Sequence, residues 1–238
     1  MNIIYITGIL SLIIQIITGI IDYYVLSQET PHELNLLKQL LLTEFIVQIV
    51  EGSFYVWMVM NFTKITNITR FRYYDWMITT PTMLITYSLF LIYLKNNQDK
   101  KEPKDMIELI KENWKALLPI IILNGLMLLF GYMGETNALP MITANILGFI
   151  PFFIYFVIIY NNFAKDFYMG RLTFIVFFGL WLLYGVASFF SYSMKNASYN
   201  ILDLFAKNFF GIFLAILILY KTHQIKESQM EIKKEIHN

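Results

Sequence analysis

Residues 199–221 read Tyr-Asn-Ile-Leu-Asp-Leu-Phe-Ala-Lys-Asn-Phe-Phe-Gly-Ile-Phe-Leu-Ala-Ile-Leu-Ile-Leu-Tyr-Lys, an apolar run with Lys207 well inside it. A helix crossing a bilayer needs about 20 mostly apolar residues, so this run has the length of a span. Eight of its residues precede the lysine and 14 follow it. Charged side chains near the end of a span can snorkel to the headgroups, but one at this depth has no such exit. An ionisable group there costs about 2.5–3.5 kcal/mol on insertion scales and marks function by default. Such a lysine must be neutral, paired or covalently changed. Asp203 lies one helical turn before it, on the same face.

The rest of the chain has the same character. Of its 238 residues 57% are hydrophobic and 15% charged, whereas a soluble domain is nearer half apolar and a quarter charged. That excludes a water-soluble enzyme and a disordered chain. A net charge of +1 gives no electrostatic footprint for nucleic acid. Without cysteine there are no disulfides, thiolate metal sites or catalytic thiol. Seven apolar stretches, at 2–26, 38–62, 72–94, 114–133, 139–161, 171–193 and 199–221, predict an all-α, seven-transmembrane-helix bundle. Residues 1–221 form the membrane domain and 222–238 a polar cytoplasmic tail. The first run lacks a basic leader and a cleavage site, so it reads as a span. Pro140 starts the fifth helix, and the second half of the charged 95–113 connection reads as an extension of the fourth. With the N-terminus outside, 13 of the 18 lysines and arginines fall on the inner side, which predicts an extracellular N-terminus and a cytoplasmic C-terminus. Glycosylation triplets at Asn61, Asn67 and Asn196 carry no weight by themselves.

Six ionisable residues stand out within the spans: Glu44 and Glu51 in the second, Arg72 and Asp75 in the third, Asp203 and Lys207 in the seventh. A plain Lys–Asp pair is satisfied by one carboxylate, and here Asp75 offers a second. Two carboxylates around one amine fit a cation that must stay protonated in low dielectric. A Schiff base between Lys207 and an aldehyde meets that description.

Two stretches make the chain similar to the microbial (type 1) rhodopsins. Arg72-Tyr-Tyr-Asp75-Trp76-Met-Ile-Thr79-Thr80-Pro81 resembles the family's third-helix signature, Arg-Tyr-x-Asp-Trp-x-x-Thr-Thr-Pro. Leu202-Asp203-Leu-Phe-Ala206-Lys207, on to Gly211, resembles the seventh-helix Asp-x-x-x-Lys retinal site. Trp181-x-x-Tyr184 is similar to the aromatic clamp of the polyene, and Asn124-Gly-x-Met127-x-x-x-Gly131 to the fourth-helix segment by the ring. The resemblance covers all seven spans. It implies a helix bundle of the microbial rhodopsin type, with all-trans retinal bound covalently to Lys207 as a protonated Schiff base. Asp75 is then the primary counterion and proton acceptor and Asp203 the second counterion. Arg72 stabilises the carboxylates and gates the outer side. Trp76, Thr80, Met83, Met127, Gly131, Trp181 and Tyr184 are implied to line the polyene, aromatic faces restricting its isomerisation and Gly131 leaving room for its ring. Span six departs from many pumps in having Gly185 for Pro, and span five lacks a Trp found near the ring in some relatives.

The resemblance also bears on activity. Outward proton pumps usually show Asp–Thr–Asp/Glu at three third-helix positions, which here are Asp75, Thr79 and Thr86. Thr86 cannot donate a proton at neutral pH, and no acid is read at the outer end of span seven, where Lys195 sits. The sodium-pump and chloride-pump patterns are both absent. Glu44 and Glu51, seven residues apart, share a helix face about 10 Å apart along the axis. Asn208 follows the lysine where pumps generally carry an apolar residue. This is similar to the channelrhodopsins, in which a span-two Glu, that Asn and a span-one Ser form the central constriction. Ser11 lies at the matching depth. The compact chain most resembles the viral channelrhodopsins (algal-virus group one). A light-gated cation channel is thus implied, with a polar path between helices 1, 2 and 7 gated by Ser11, Glu51 and Asn208. Glu44 becomes the cytoplasmic constriction, where a divalent cation could bind. The partners are the lipid bilayer, monovalent cations or protons, and further copies of the chain in a homo-oligomer; no resident metal, nucleic acid or enzymatic activity is implied. A weak outward proton pump using Glu44 or Glu51 as donor, and a sensory rhodopsin without transport, are the alternatives.

Overall fold

The computed structural model describes residues 2–237, which contain helices and connecting turns and, among the described residues, no strand. In hydrocarbon the backbone must satisfy its own polar groups, and a continuous apolar segment does so as a helix. Helix α1 covers Ile3–Ser27, α2 Asn35–Asn61, α3 Ile68–Gln98, α4 Met106–Glu135 and α5 Met141–Ile159. A π-helical turn, Tyr160–Ala164, extends α5, and α6 follows at Tyr168–Ala187. The seventh span is built from α7, Tyr192–Asp203, a π-helical turn at Leu204–Asn208, and α8, Phe209–His237. Among the described residues, seven helical segments are long and apolar enough to cross a membrane. Asn2 and Asn67 start α1 and α3, their side chains accepting from the backbone N–H groups of Ile4 and Arg70.

The helices pack in chain order into a closed ring, with α7 and α8 returning to α1. Helix α1 shows how the ring is filled. Its buried positions are Ile4, Gly8, Ser11, Gln15, Thr18, Asp22 and Val25, at helical spacing, while Ile6, Ile13, Ile16, Ile17 and Ile20 face outward. The helix is thus apolar towards lipid and polar towards its neighbours, the reverse of a helix in water. On α2 the buried face carries Glu44, Gln48, Glu51 and Tyr55. Between α5 and α6 the fill is aromatic instead, with Phe152, Phe156, Phe177 and Trp181 buried. Tyr87 of α3 stacks on Phe177 at 3.8 Å.

Three boundaries differ from those read in the sequence. Helix α4 starts at Met106, ahead of the apolar 114–133 run, as the charged connection implied. The sixth helix stops at Ala187 and the seventh starts at Tyr192, seven residues before the apolar run begins. Two polar residues of that first turn and a half, Lys195 and Asn196, are buried with partners. Lys195 pairs with Glu135 at 2.5 Å, and Asn196 is hydrogen-bonded to Thr69 and Arg72. Hydropathy cannot register such pairing. Burial also removes Asn196 as a glycosylation acceptor. Finally, α8 continues through the polar 222–237 segment without a break.

Candidate functional site

Lys207 points into the centre of the bundle and is 2% exposed. Its Nζ lies 3.1 Å from Asp75 Oδ2, 3.4 Å from Glu51 Oε1 and 3.5 Å from Asp203 Oδ1. Three carboxylates surround the amine where the sequence indicated two, and the third is the residue assigned there to a gate. The π-helical turn at Leu204–Asn208 falls on the lysine itself; such local bulges are frequent at functional positions.

The carboxylates differ in how they are held. Asp203 accepts hydrogen bonds from Tyr55 Oη at 2.7 Å and Tyr184 Oη at 2.8 Å, and pairs with Arg72 at 3.3 Å. Arg72 therefore serves Asp203 and not Asp75, its neighbour one turn along α3. The guanidinium also donates to Asn196 Oδ1 at 3.2 Å and to Asn200 Oδ1, and packs against the rings of Phe54, Tyr55 and Tyr199. Asp75 Oδ1 and both oxygens of Glu51 have no hydrogen-bond partner.

The three residues read as one constriction are separated in space. Ser11 Oγ donates to the backbone carbonyl of Asn200 at 3.1 Å, on the amino side of Lys207 where α1 begins. Asn208 Nδ2 donates to Thr18 Oγ1 at 3.0 Å, on the carboxyl side. Glu51 lies between them, against the amine. The seam between helices 1, 2 and 7 is nonetheless continuous and polar, because residues the sequence reading passed over fill it: Gln15, Thr18, Asp22 and Gln48, all buried. Gln48 Nε2 donates to Asp22 Oδ2 at 2.6 Å. The signal that could have found them is the polar stripe at positions 11, 15, 18 and 22 of an otherwise isoleucine-rich helix. Glu44 is fully buried beside Thr86, with neither oxygen hydrogen-bonded. At the amino end an acid does stand by the start of the seventh span: Glu135, from the end of α4, pairs with Lys195. Distance in sequence hid it.

On the far side of the lysine a cavity runs between α3, α4, α5, α6 and the seventh helix. Trp76, Thr80, Met83, Met127, Gly131, Trp181, Tyr184 and Lys207 all line it. Gly148, Phe149 and Phe152 close the end where some relatives place a Trp. Two glycines admit the lining. A Cβ on Gly131 would meet the Tyr73 ring at 3.0 Å, and one on Gly185 would meet Phe149 at 2.6 Å. The space left by Gly131 is therefore shared with Tyr73, which lines the same cavity. The cavity is largely apolar and aromatic, with one primary amine, Lys207, in its lining. These residues fit retinal: flat apolar walls for a polyene, and a nucleophile with counter-charges where an aldehyde would condense.

The family model for the Bacteriorhodopsin-like protein matches residues 2–220. No curated protein matches the chain. Among solved structures, viral rhodopsin OLPVRII superposes with a TM-score of 0.77 at 27% identity, covering 91% of this chain and 97% of that one. The blue light-absorbing proteorhodopsin from Med12 gives 0.70 at 19%, covering 92% and 98%. Halorhodopsin, a light-driven chloride pump, gives 0.66 at 13%, covering 90% and 93%. The last two are similar in fold alone.

Proposed function

We propose that this chain, which belongs to the bacteriorhodopsin-like family of retinal photoreceptors, is a light-gated cation channel with retinal carried on Lys207. The distribution of basic residues supports an N-terminus outside and a C-terminus in the cytoplasm. Retinal supplies light absorption and a change of shape at the lysine nitrogen. The observation that carries the reading is the buried polar seam between helices 1, 2 and 7, with Glu51 within 3.4 Å of Lys207. A seam rich in carboxylates and amides replaces part of a cation's hydration shell and disfavours anions.

The residues have distinct tasks. Two cations, Lys207 and Arg72, face three carboxylates, so neutrality asks one carboxyl to hold a proton. Glu51, with no donor on either oxygen, suits that role. Asp203 already accepts from two tyrosines and Arg72, which makes it the poorer proton acceptor. Asp75, nearest the lysine nitrogen and with Oδ1 free, is the better one. A proton moved from Lys207 to Asp75 removes the cation that the protonated Glu51 carboxyl faces at 3.4 Å, and with it the ion–dipole contact that keeps the carboxyl there. Glu51 can then turn into the seam, and water and cations follow. Arg72, Asn196 and Asn200 close the outer side at rest, and homo-oligomers are expected.

Glu44 beside Thr86 favours one other reading, an outward proton pump in which Glu44 acts as donor from helix 2 in place of the third-helix acid. Patch-clamp recording on cells expressing the protein with retinal separates the two. A photocurrent that reverses sign with voltage is expected. A current outward at every voltage establishes the pump instead. Glu51→Ala should change the current at least severalfold while the pigment stays coloured; an unaltered current rules Glu51 out as the gate.

A further inference from the structure

We infer that Asp22 and Gln48, laid against Gly211, form a binding station for a dehydrated monovalent alkali cation on the carboxyl side of Lys207. Its role as an inner step of ion passage rests on the channel reading; its existence does not.

Asp22 is completely buried in α1, about a turn beyond Thr18. Among the described residues no lysine, arginine or histidine pairs with it, and its one hydrogen-bond donor is the amide of Gln48. Asp22 Oδ1 has no partner. The oxygens around this level are short of donors in the same way. Asn208 Oδ1 is buried and unpartnered, and Gln48 Oε1 receives only a long contact of 3.5 Å from Thr18. Leaving a buried carboxylate and neutral acceptors without donors is costly. A cation satisfies them together. One ionised carboxylate with amide and hydroxyl oxygens balances a single positive charge, whereas a divalent ion would require Glu44, the other buried and unpartnered carboxyl on this side, to be ionised as a second ligand.

Gly211 makes the arrangement possible. A Cβ there would sit 2.6 Å from Asp22 Oδ2 and 2.7 Å from Gln48 Nε2, so only glycine lets the pair lie flat on α8. The station is also wired to the light-sensitive lysine. Asn208, next to Lys207 at the end of the π-helical turn, donates to Thr18, which contacts Gln48, which holds Asp22. A shift of the turn would therefore move the ligands.

The test uses the purified, retinal-loaded protein kept in the dark, with NaCl exchanged for N-methylglucamine chloride at constant ionic strength. Sodium-23 NMR line width and melting temperature are followed together. Saturable sodium broadening and a sodium-dependent rise in melting temperature are expected. Asp22→Asn should weaken the apparent affinity by about tenfold or more, since it removes the one charged ligand. Gly211→Ala should weaken it too with every ligand retained, which keeps the proposal testable should Asp22→Asn fail to give pigment. A wild-type protein indifferent to sodium, or an Asp22→Asn protein that binds it unchanged, overturns the station even where photocurrents are present. Asp22-dependent sodium binding without any photocurrent upholds the station and retires the channel reading.

Discussion

The two halves of the seam, on either side of Lys207, are built on opposite principles. Towards the amino end each of Ser11, Tyr55, Arg72, Asn196, Asn200 and Asp203 has a hydrogen-bond or ionic partner. Towards the carboxyl end Asp22, Glu44 and Asn208 each leave at least one buried oxygen without a donor. Fully satisfied polar networks rigidify, while partly satisfied ones have a standing demand for protons, water or ions. On the proposed channel reading, a saturated half next to a donor-poor half is a path shut firmly on one side and poised on the other.

The largest effect tests the element common to both halves. Lys207→Ala should give no visible pigment with retinal and no light response; absorption spectroscopy of the reconstituted protein checks it, and a coloured variant would separate the seam from the chromophore altogether. Next comes the saturated half. Arg72→Gln leaves Asp203 without its guanidinium, and breaking a buried pair in this way costs about 3–5 kcal/mol. Pigment melting should therefore drop sharply, with a visible shift in colour because a counter-charge to Lys207 has lost its partner. The Lys195–Glu135 pair sharpens the point. Glu135→Leu alone should destabilise by a similar amount, whereas Glu135→Leu with Lys195→Met should recover most of it, as apolar replacements of buried pairs often do. A double variant as unstable as the single one would mean that the pair does more than neutralise itself.

Smaller effects are expected in the donor-poor half, which has fewer bonds to lose. Asn208→Leu removes one hydrogen bond to Thr18 and should cost about 1 kcal/mol in denaturant titration. A loss several times larger would show the two halves to be equally saturated. Smallest of all is the exposed pair outside the seam. Lys95, hydrogen-bonded to Asp166 at 3.0 Å, holds that carboxyl below its ordinary range. A depressed carboxyl stabilises the fold above its unfolded titration point and loses that contribution as pH falls through the folded one. Asp166→Asn should therefore flatten a slight acid-side slope in melting temperature and leave neutral pH almost unchanged, since exposed pairs contribute little.

Part of this contrast could be read in the primary structure. Lys207 at mid-span, with Asp203 one turn away and the Arg72–Pro81 motif in the third span, marks the proposed chromophore site, and the lining residues named from those motifs all meet in one cavity. The seam was legible only in outline. Ser11 and Asn208 match in depth along their spans, but they bond to different partners on opposite sides of the lysine. Asp22 drew no attention because it lies close to a span end, where a charge ordinarily reaches the headgroups, yet its side chain turns inward to Gln48. Glu135 stands 60 residues from Lys195 in the chain and 2.5 Å from it in space.

Apolar length and helical periodicity, which depend on neighbouring residues alone, set the number of spans, the inward face of each and the depth of the reactive amine. Which carboxylate answers which cation, and which oxygens go without a donor, follows from contacts between helices far apart in the chain. Those contacts depend on how the helices are rotated and packed in the ring, and in a low-dielectric interior a few tenths of an ångström decide whether a polar group is paired.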